Sequence, residues 1–313
     1  MFNSPLAIPS FAKVNLGLHI LGKRPDHYHE IQTVLQTVSL HDRLSFLVTL
    51  SGPIVFTCDN PSIPVDDSNL VIKAATALRK RFGVTSSCEI HLTKHIPVTA
   101  GLGGGSSNAA LTLLALTRLW NLPATSGDLL ELAGTLGADV PFFIEGGCAL
   151  ATGIGTTLTP LPDLPQQQIL IVAPAIAVAT ASAYQALKAP ALTTSDSVSR
   201  LAISRTQAIF SDSKQWVLCN HLENDFERVI FDIEPEIRRV KEALIQAGAR
   251  CALLAGSGSS VFGIFDSDEV LRSAAQALKQ ESNWRIFSCV TLSRDEYLRA
   301  FSSAIAGRLN EGF

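Results

Sequence analysis

A glycine-rich run near the middle of the chain limits what it can fold into more than any other feature. Residues 97–120 read PVTAGLGGGSSNAALTLLALTRLW, so four glycines within five positions precede two serines, an asparagine and apolar residues at helical spacing. That order predicts a loop leading directly into the N-terminus of a helix. Glycines let the backbone approach a ligand closely, and the free N–H groups of a helix start favour an anion. We interpret the segment as a phosphate-binding loop; the alternative is a flexible turn with a helix cap.

The run differs from two common nucleotide-binding signatures. G-x-x-x-x-G-K-[ST] requires a lysine that is absent here, and G-x-G-x-x-G fails because position 106 is serine. The sequence therefore supports neither a P-loop NTPase nor a dinucleotide-binding Rossmann unit.

The composition indicates a globular protein and argues against several classes of partner. The 313 residues carry a net charge of −3 and are 47% hydrophobic and 17% charged, which excludes a disordered chain and disfavours a general nucleic-acid binder. The longest apolar stretch, residues 169–179, is broken by Pro174 and is shorter than the roughly 20 residues of a membrane-spanning helix. No signal peptide is visible, and the six cysteines, 30 or more residues apart, have no metal-ligand spacing. We therefore expect a cytoplasmic protein with reduced thiols that binds neither nucleic acid nor a membrane.

The length favours two domains of about 150 residues each, and a proline-rich stretch marks where they would join. Three prolines fall within residues 160–165, so we predict one domain over 1–160 and a second over 161–313. In the first domain the hydrophobic pattern predicts strands at 10–18 and 87–92 and two β-like runs within 31–50, separated by residues 41–43. It also predicts helices at 70–82 and 126–136, and Ser126 would cap the second of these helices. The pattern in the second domain predicts strands at 168–172, 251–255, 260–265 and 284–292, helices at 182–188, 234–247 and 267–280, and a tail helix at 295–309. Without the tail this is the β-α-β-β-α-β order of ferredoxin-like folds, and the class is α+β.

Four other places carry groups that could do chemistry. Asp139, in LGADVPFF just after a helix, is either a helix cap or a general base. Lys13, on the same strand face as Asn15, is either a surface lysine or a group that orients a carboxylate and neutralises a phosphate. A second Gly/Ser loop, at 255–260, would join two strands. Residues 26–30, DHYHE, are a weak match to a metal site and could instead hold a flat base.

Together these motifs resemble the GHMP kinases, the superfamily of galactokinase, homoserine kinase, mevalonate kinase and phosphomevalonate kinase. The resemblance is carried by AKVNL at 12–16, YHE at 28–30 with QT at 32–33, GLGGGSSNAA at 101–110 and LGADVP at 136–141. It covers residues 8–292 and leaves out the tail helix. It implies an N-terminal ribosomal S5-like α/β domain that binds ATP, a C-terminal ferredoxin-like domain, and an active site in the cleft between them.

The resemblance also implies roles by position. Asp139 matches the catalytic base that accepts the proton of the substrate hydroxyl, and Lys13 matches its partner, which keeps Asp139 ionised and stabilises the transferring phosphoryl group. The implied ATP site consists of Pro97, Val98, Thr99, Ala100, Gly101, Leu102, Gly103, Gly104, Gly105, Ser106, Ser107, Asn69 and Lys73. The implied substrate site consists of Asn15, Tyr28, His29, Thr180, Tyr184, Gly256, Ser257 and Gly258. The implied cofactors are ATP and Mg²⁺; no carboxylate matches a metal ligand clearly, so the ligands stay unassigned, with Ser106 or Ser107 as a candidate hydroxyl.

The implied substrate is a small cytidine diphosphate compound. Tyr28, His29 and Tyr184 match residues that hold cytosine in one branch of the family, which phosphorylates the 2-hydroxyl of a methylerythritol joined to cytidine diphosphate in the non-mevalonate route to isoprenoids. Two alternatives stay open: another small-molecule kinase of the mevalonate or homoserine type, and a nucleotide-binding regulator without catalysis. A monomer and a homodimer are both compatible with the sequence.

Several positions depart from the family pattern. The usual D-G-Y-H reads DHYH, so His27 stands where glycine is usual, and Thr99 stands where glycine is common. The third motif, usually M-S-G-T-G, reads LAGSG at 254–258. The Ser/Thr-rich residues 190–216 match no part of the pattern.

Overall fold

The structure, a computed structural model, describes residues 5–192 and 222–310; most of the Ser/Thr-rich stretch lies outside this part. The first 160 residues build a six-stranded sheet and the helices that pack on it. In chain order the elements are β1 (Leu6–Lys23), β2 (His29–Thr49), β3 (Val55–Cys58), α1 (Leu70–Phe82), β4 (Ser87–Thr93), α2 (Gly104–Leu119), α3 (Ser126–Leu136), α4 (Phe142–Glu145), β5 (Cys148–Gly153) and β6 (Thr157–Pro160).

The long strand β2 organises this sheet. It pairs antiparallel with β1 along most of its length, with β5 through residues 31–36 and with β4 through residues 43–49. β3 and β6 lie at the two ends of the strand order β3-β4-β2-β5-β6. The core between the sheet and its helices includes Phe46, Leu78 and Leu113, all fully buried.

Two strand predictions differ from the structure. The two runs expected within 31–50 are one strand, because Asp42, one of the polar residues between them, is fully buried and forms an ion pair with buried Lys94. A charged residue whose partners lie inside the protein does not interrupt a strand. Strands β3, β5 and β6 were not predicted at all.

Helices α1 and α3 both begin at the predicted residue, and a side chain caps each start. Helix α1 has the predicted bounds, with the side chain of Asn69 capping its start and Gly83, at φ 63°, ending it. Helix α3 is capped by Thr125, which shares a capping box with Asp128, and the prediction of Ser126 as the cap is wrong. The reciprocal hydrogen bonds of Thr125 and Asp128 explain why the helix starts at Ser126.

The second sheet has the predicted ferredoxin-like order. Its elements are β7 (Gln168–Pro174), α5 (Thr180–Leu187), α6 (Glu227–Ile233), α7 (Pro235–Gln246), β8 (Cys251–Leu254), β9 (Val261–Phe265), α8 (Asp268–Leu278) and β10 (Trp284–Val290). The four strands are antiparallel in the order β10-β7-β9-β8. The two sheets with their helices form the two-domain α+β fold that the resemblance implies.

The proline-rich stretch joins the two sheets, since β6 ends at Pro160 and β7 begins at Gln168; the exact domain boundary stays a prediction. The tail helix, α9 (Arg294–Asn310), follows the second sheet in sequence but packs on the first. Tyr297 is buried there and donates a hydrogen bond to the carbonyl of Phe143, and Phe301 packs on the first core. The tail therefore links the end of the chain to its first half.

Within residues 5–192 and 222–310, no helix is long and apolar enough to cross a membrane. The expected free thiols are found at Cys58, Cys88, Cys148 and Cys289. Cys251 is disulfide-bonded, so the expectation is wrong there; spacing along the chain does not determine which sulfurs meet in space.

Candidate active site

A lysine and a carboxylate from different parts of the chain meet in a cavity of about 1020 Å³ between the two sheets. The Nζ of Lys13, on β1, lies 3.6 Å from Oδ2 of Asp139, 2.7 Å from Oδ1 of Asn15 and 3.0 Å from the carbonyl oxygen of Gly101. The Lys13 side chain is buried, whereas 39% of the Asp139 side chain is exposed. The ammonium is thus fixed by several acceptors while the carboxylate stays accessible to a ligand.

Asp139 lies in the turn between α3 and α4 and caps neither helix. Gly137 forms the C-cap of α3, and Pro141 precedes α4 without a side-chain capping bond. The carboxylate is therefore not used to satisfy backbone groups at these ends, so Asp139 is not the helix cap that the sequence left open.

Asn15 is held as firmly as Lys13. Its side-chain amide donates to the hydroxyl of Thr33 at 2.8 Å, and that hydroxyl donates to the carbonyl of Gly17 at 2.6 Å. Since its amide oxygen accepts from Lys13, both ends of Asn15 are bonded. This side chain lines the cavity in one orientation, as the strand periodicity of Lys13 and Asn15 predicts.

The glycine-rich loop forms a wall next to Lys13. Gly101 has φ 77°, and a Cβ there would lie 1.8 Å from the carbonyl oxygen of Ala255, so no side chain fits. Gly103, at φ 70°, precedes α2, and a Cβ there would press on Lys13 and Phe143. The first N–H groups of α2 have no acceptor within the helix and so favour an anion at this end.

Beyond the loop lies a second cavity of about 370 Å³, lined by most of the predicted ATP-site residues. The lining includes the whole stretch 97–106 and Asn69, whose side chain accepts from Val71 N and donates to the carbonyl of Pro64. Two predicted residues do not line it: Lys73 is exposed on α1, and Ser107 is buried with its hydroxyl 2.8 Å from that of Ser10.

Lys94 lines the second cavity and was missed by the sequence analysis. It follows β4 and contacts the loop so closely that a Cβ on Gly104 would lie 2.9 Å from its Nζ. Burial lowers its pKa, while the neighbouring Asp42 opposes that shift. The only sequence signal for Lys94 was its position as a basic residue between a strand and a glycine-rich loop. Basic residues are too common at such positions for this one to be assigned to a binding site.

Asp42 ties together the segments around the loop. Its Oδ1 accepts from the backbone N–H groups of His95 and Ile96, both at 2.8 Å. Its Oδ2 accepts from the Lys94 ammonium and, at 3.1 Å, from the side-chain amide of Asn108 in α2. One buried carboxylate therefore connects the residues just before the loop to the helix just after it.

The second Gly/Ser loop closes the first cavity from the side of the second sheet. Gly256 and Ser257 line the cavity, and the Ser257 hydroxyl lies 3.0 Å from that of Thr180. Gly258 does not line it. The loop is positioned by Asn224, another residue missed from sequence, whose side-chain amide donates to the carbonyls of Leu254 and Gly256.

Aromatic rings form the far end of the first cavity. The rings of His29 and Tyr184 are stacked, with 4.6 Å between their centroids and 21° between their planes. The ring of Phe226 packs edge-on against that of Tyr184. Tyr28 also lines the cavity and is 61% exposed. Burial, and secondarily Lys23, lowers the pKa of His29, and burial, with a contribution from Asp139, raises the pKa of Tyr184 to about 12. Both rings are thus held in neutral forms that suit stacking on a flat base.

The two positions where glycine is usual in the family keep a glycine-like backbone. His27 has φ 69° and Thr99 has φ 52°, both in the left-handed region. Side chains with a Cβ are strained there. His27 and Thr99 therefore adopt the conformation that glycine takes most easily, and each lines one of the two cavities.

No group of three or more His, Cys, Asp and Glu side chains in the part described could hold a metal ion by itself. Asp139 and the hydroxyl-bearing Ser106 both line the first cavity, and Ser106 lines the second as well. A carboxylate and a hydroxyl are hard oxygen donors that suit a hydrated Mg²⁺ shared with phosphate groups. The hydroxyl of Ser107 is instead buried against Ser10.

Two family models match the chain, "GHMP kinases N terminal domain" over residues 69–147 and "GHMP kinases C terminal" over residues 214–283. A 4-diphosphocytidyl-2-C-methyl-D-erythritol kinase of Prosthecochloris aestuarii is 44% identical over 87% of this chain and 93% of its own. The protein of that name from Geobacter metallireducens is 39% identical over 89% of this chain and 96% of its own.

Solved structures agree with the sequence comparison. A crystal structure of 4-(cytidine 5'-diphospho)-2C-methyl-D-erythritol kinase superposes with a TM-score of 0.75 at 33% identity, covering 91% of this chain and 98% of that one. Homoserine kinase from Cytophaga hutchinsonii superposes with a TM-score of 0.72 at 19% identity, covering 94% of this chain and 96% of that one. At this identity the match shows a likeness of fold alone.

Proposed function

The chain belongs to the GHMP kinases, in the group of 4-diphosphocytidyl-2-C-methyl-D-erythritol kinases, and we propose that it transfers the γ-phosphoryl group of ATP to the 2-hydroxyl of 4-diphosphocytidyl-2-C-methyl-D-erythritol. It is an ATP-dependent small-molecule kinase. Relatives with this name match it over nearly their whole length, at 44% and 39% identity. The reaction is a step of the non-mevalonate route to isoprenoids.

The observation that carries the proposal is that one cavity combines two kinds of group. It contains the Lys13–Asp139 pair beside the glycine-rich loop and, at its other end, the stacked rings of His29 and Tyr184. A substrate with a flat base at one end and an alcohol at the other fits this division. The rings are only 4.6 Å apart, so the cytosine would lie against the surface they share and not between them.

The residues near the loop suit phosphoryl transfer. Asp139 is within reach of a ligand and would accept the proton of the attacking hydroxyl. Lys13 would keep the Asp139 carboxylate ionised and stabilise negative charge on the transferring group. The N–H groups at the start of α2 would bind the ATP phosphates, and Asn69 and residues 97–106 would form the nucleotide site. Phosphoryl transfer depends mainly on such positioning and electrostatics.

Mg²⁺ fits this arrangement as the second cofactor, with Ser106 and Asp139 as the oxygen donors available to it. When bound, the ion would neutralise part of the negative charge of the ATP phosphates. The remaining work falls to the chain: the loop backbone fixes the phosphates, Lys13 and Asn15 hold each other in place, and Asp139 takes the proton.

A kinase of the mevalonate or homoserine type is the second candidate. The neutral stack of His29 and Tyr184, with Tyr28 at the edge of the cavity, favours the cytidine compound because small aliphatic alcohols offer no ring to stack on. A regulator without catalysis is disfavoured because Lys13 and Asp139 are both present and in contact.

The test is an ADP-release assay with purified protein, ATP and Mg²⁺, comparing 4-diphosphocytidyl-2-C-methyl-D-erythritol with mevalonate, homoserine and galactose. We expect turnover with the cytidine compound and at least about a hundredfold lower kcat/KM with the others, as the loss of stacking and hydrogen bonds implies. Comparable activity on mevalonate or homoserine would reject the proposal.

A further inference from the structure

We propose that Lys23, His27 and Lys188 form a basic rim at the aromatic end of the substrate cavity, which captures the diphosphate-bearing substrate through its negative charge. All three side chains line the cavity that holds His29 and Tyr184. The inference rests on the proposed function, because that substrate carries a diphosphate and mevalonate-type or homoserine-type substrates do not.

The fold brings two rim residues together from different elements. Lys23 is the last residue of β1, and Lys188 forms the C-cap of α5. The backbone N–H of Lys23 donates to the carbonyl of Pro190, and the N–H of Leu192 donates to the carbonyl of Lys23, both at 2.8 Å. The segment just after Lys188 is thus bonded to the residue that carries the other lysine.

The positive charge of the two rim lysines is not neutralised within the part of the chain that is described. No carboxylate there forms an ion pair with Lys23, His27 or Lys188. The two acidic side chains of the neighbouring turn, Asp26 and Glu30, are both paired with Arg24, at 3.1 and 2.8 Å. Lys23 also lowers the pKa of His29, so the positive charge of Lys23 acts on the stacked rings.

Backbone strain at the rim is a second, independent observation. His27 has φ 69° and Lys188 has φ 47°, a region where a residue with a Cβ is disfavoured. Glycine would relieve the strain at both positions, and it is the residue usual in the family at position 27. Strained residues that persist at a ligand cavity point to a role for their side chains.

The rim also explains a selectivity that stacking alone does not provide. Rings bind any flat base, whereas exposed positive charges favour ligands that carry negative charge and raise the rate at which they are captured. Such attraction weakens as salt screens it. The rim therefore predicts that the affinity for the cytidine substrate depends on ionic strength more than it would with stacking alone.

The test measures steady-state kinetics for both substrates at low and moderate salt in the full-length protein. We expect Lys23→Gln/Lys188→Gln to raise KM for 4-diphosphocytidyl-2-C-methyl-D-erythritol about tenfold at low salt, leaving kcat and the KM for ATP within about twofold. The salt dependence of that KM should become shallower. Lys279→Gln, on an exposed lysine outside the cavity, is the matched control.

His27→Gly separates binding from folding, because its two expected effects have opposite directions. The melting temperature should rise as the left-handed strain is relieved, while KM for the cytidine substrate rises about threefold. Asn121→Gly, at φ 50° outside the cavity, is the control for strain alone and should leave KM unchanged.

An unchanged KM in the double lysine variant, or an equal rise in the KM for ATP, would overturn the basic rim while leaving the proposed function intact. Absence of turnover in the parent enzyme would overturn the proposed function and the rim with it. A folding defect is recognised separately by a lower melting temperature.

Discussion

The ammonium group of Lys13 lies 3.6 Å from the carboxylate of Asp139, although one residue is on the first strand and the other follows the third helix. Lys13 does not depend on Asp139 for its position, because it also donates to Asn15 and to the carbonyl of Gly101. Neutralising the carboxylate should therefore remove its chemistry without moving the lysine.

Asp139→Asn should lower kcat by about a thousandfold, since a positioned general base contributes about 10² to 10⁴ in rate. ATP binding should be retained, because the loop amides and Lys13 stay in place. The ADP-release assay gives kcat, and the rise in melting temperature with added ATP gives binding. Asp266→Asn, at an exposed ion pair with Arg250, is the control. Near-normal turnover of Asp139→Asn would remove Asp139 as the base.

Tyr184 should matter to one substrate and not to the other. Tyr184→Ala removes the ring that stacks on His29 and contacts Phe226, so KM for the cytidine substrate should rise at least about tenfold. Tyr184→Phe should behave like the parent, since the tyrosine hydroxyl makes no hydrogen bond to any residue of the part described. The KM for ATP should be unchanged in both variants, and equal effects on the two substrates would place the base elsewhere.

Much of the fold could be predicted because local signals and packing agree. Asn69 and Gly83 mark the ends of α1 by their own backbone preferences, and short, continuously apolar runs such as 168–174 and 261–265 indicate buried strands of the second sheet. The continuity of β2 through Asp42 could not be predicted, because it depends on Lys94, a partner distant in sequence. Strands β5 and β6 lack strong periodicity and are defined by their pairing with β2 and with each other.

In the candidate site, too, some residues could be predicted from the sequence and others could not. Residues 97–106 were identifiable because glycine content and a helix start have a direct chemical meaning. Lys94 and Asn224 were not, because their roles arise only when the chain folds and brings them against the two loops. Ser107 was expected beside Ser106 at the ligand, but adjacent residues of a helix point in different directions, and its hydroxyl bonds to Ser10.

Thr99→Gly should stabilise the protein. Thr99 has φ 52°, and the strain of a β-branched residue there exceeds the extra chain entropy that glycine loses on folding, so unfolding should cost about 0.5 to 1 kcal/mol more. Urea denaturation measures the change. Asn121→Gly should give a smaller gain, because asparagine tolerates this conformation better. The hydroxyl of Thr99 donates a hydrogen bond to the carbonyl of Val98 at 2.8 Å, and a lower stability of Thr99→Gly would mean that this exposed bond outweighs the strain.

Asp42→Asn should destabilise the fold and weaken ATP binding together. The carboxylate accepts from His95 and Ile96 just before the loop, and from Lys94 and Asn108. An amide of the same size would leave the buried ammonium without a counter-charge, which costs about 3 to 5 kcal/mol. The KM for ATP should rise more than the KM for the cytidine substrate, because the bonded segments surround the nucleotide cavity.

The double variant Asp42→Asn/Lys94→Met separates the uncompensated charge from the lost hydrogen bonds. Removing the ammonium as well leaves no unpaired charge, so the double variant should be more stable than Asp42→Asn by about 2 kcal/mol, even though both members of the ion pair are now missing. Urea denaturation of the parent, both single variants and the double variant gives the coupling energy. If the two changes simply added, Lys94 and Asp42 would not act as a pair, and the weakened ATP binding of Asp42→Asn would have to come from its contacts to the backbone of residues 95 and 96 and to the side chain of Asn108.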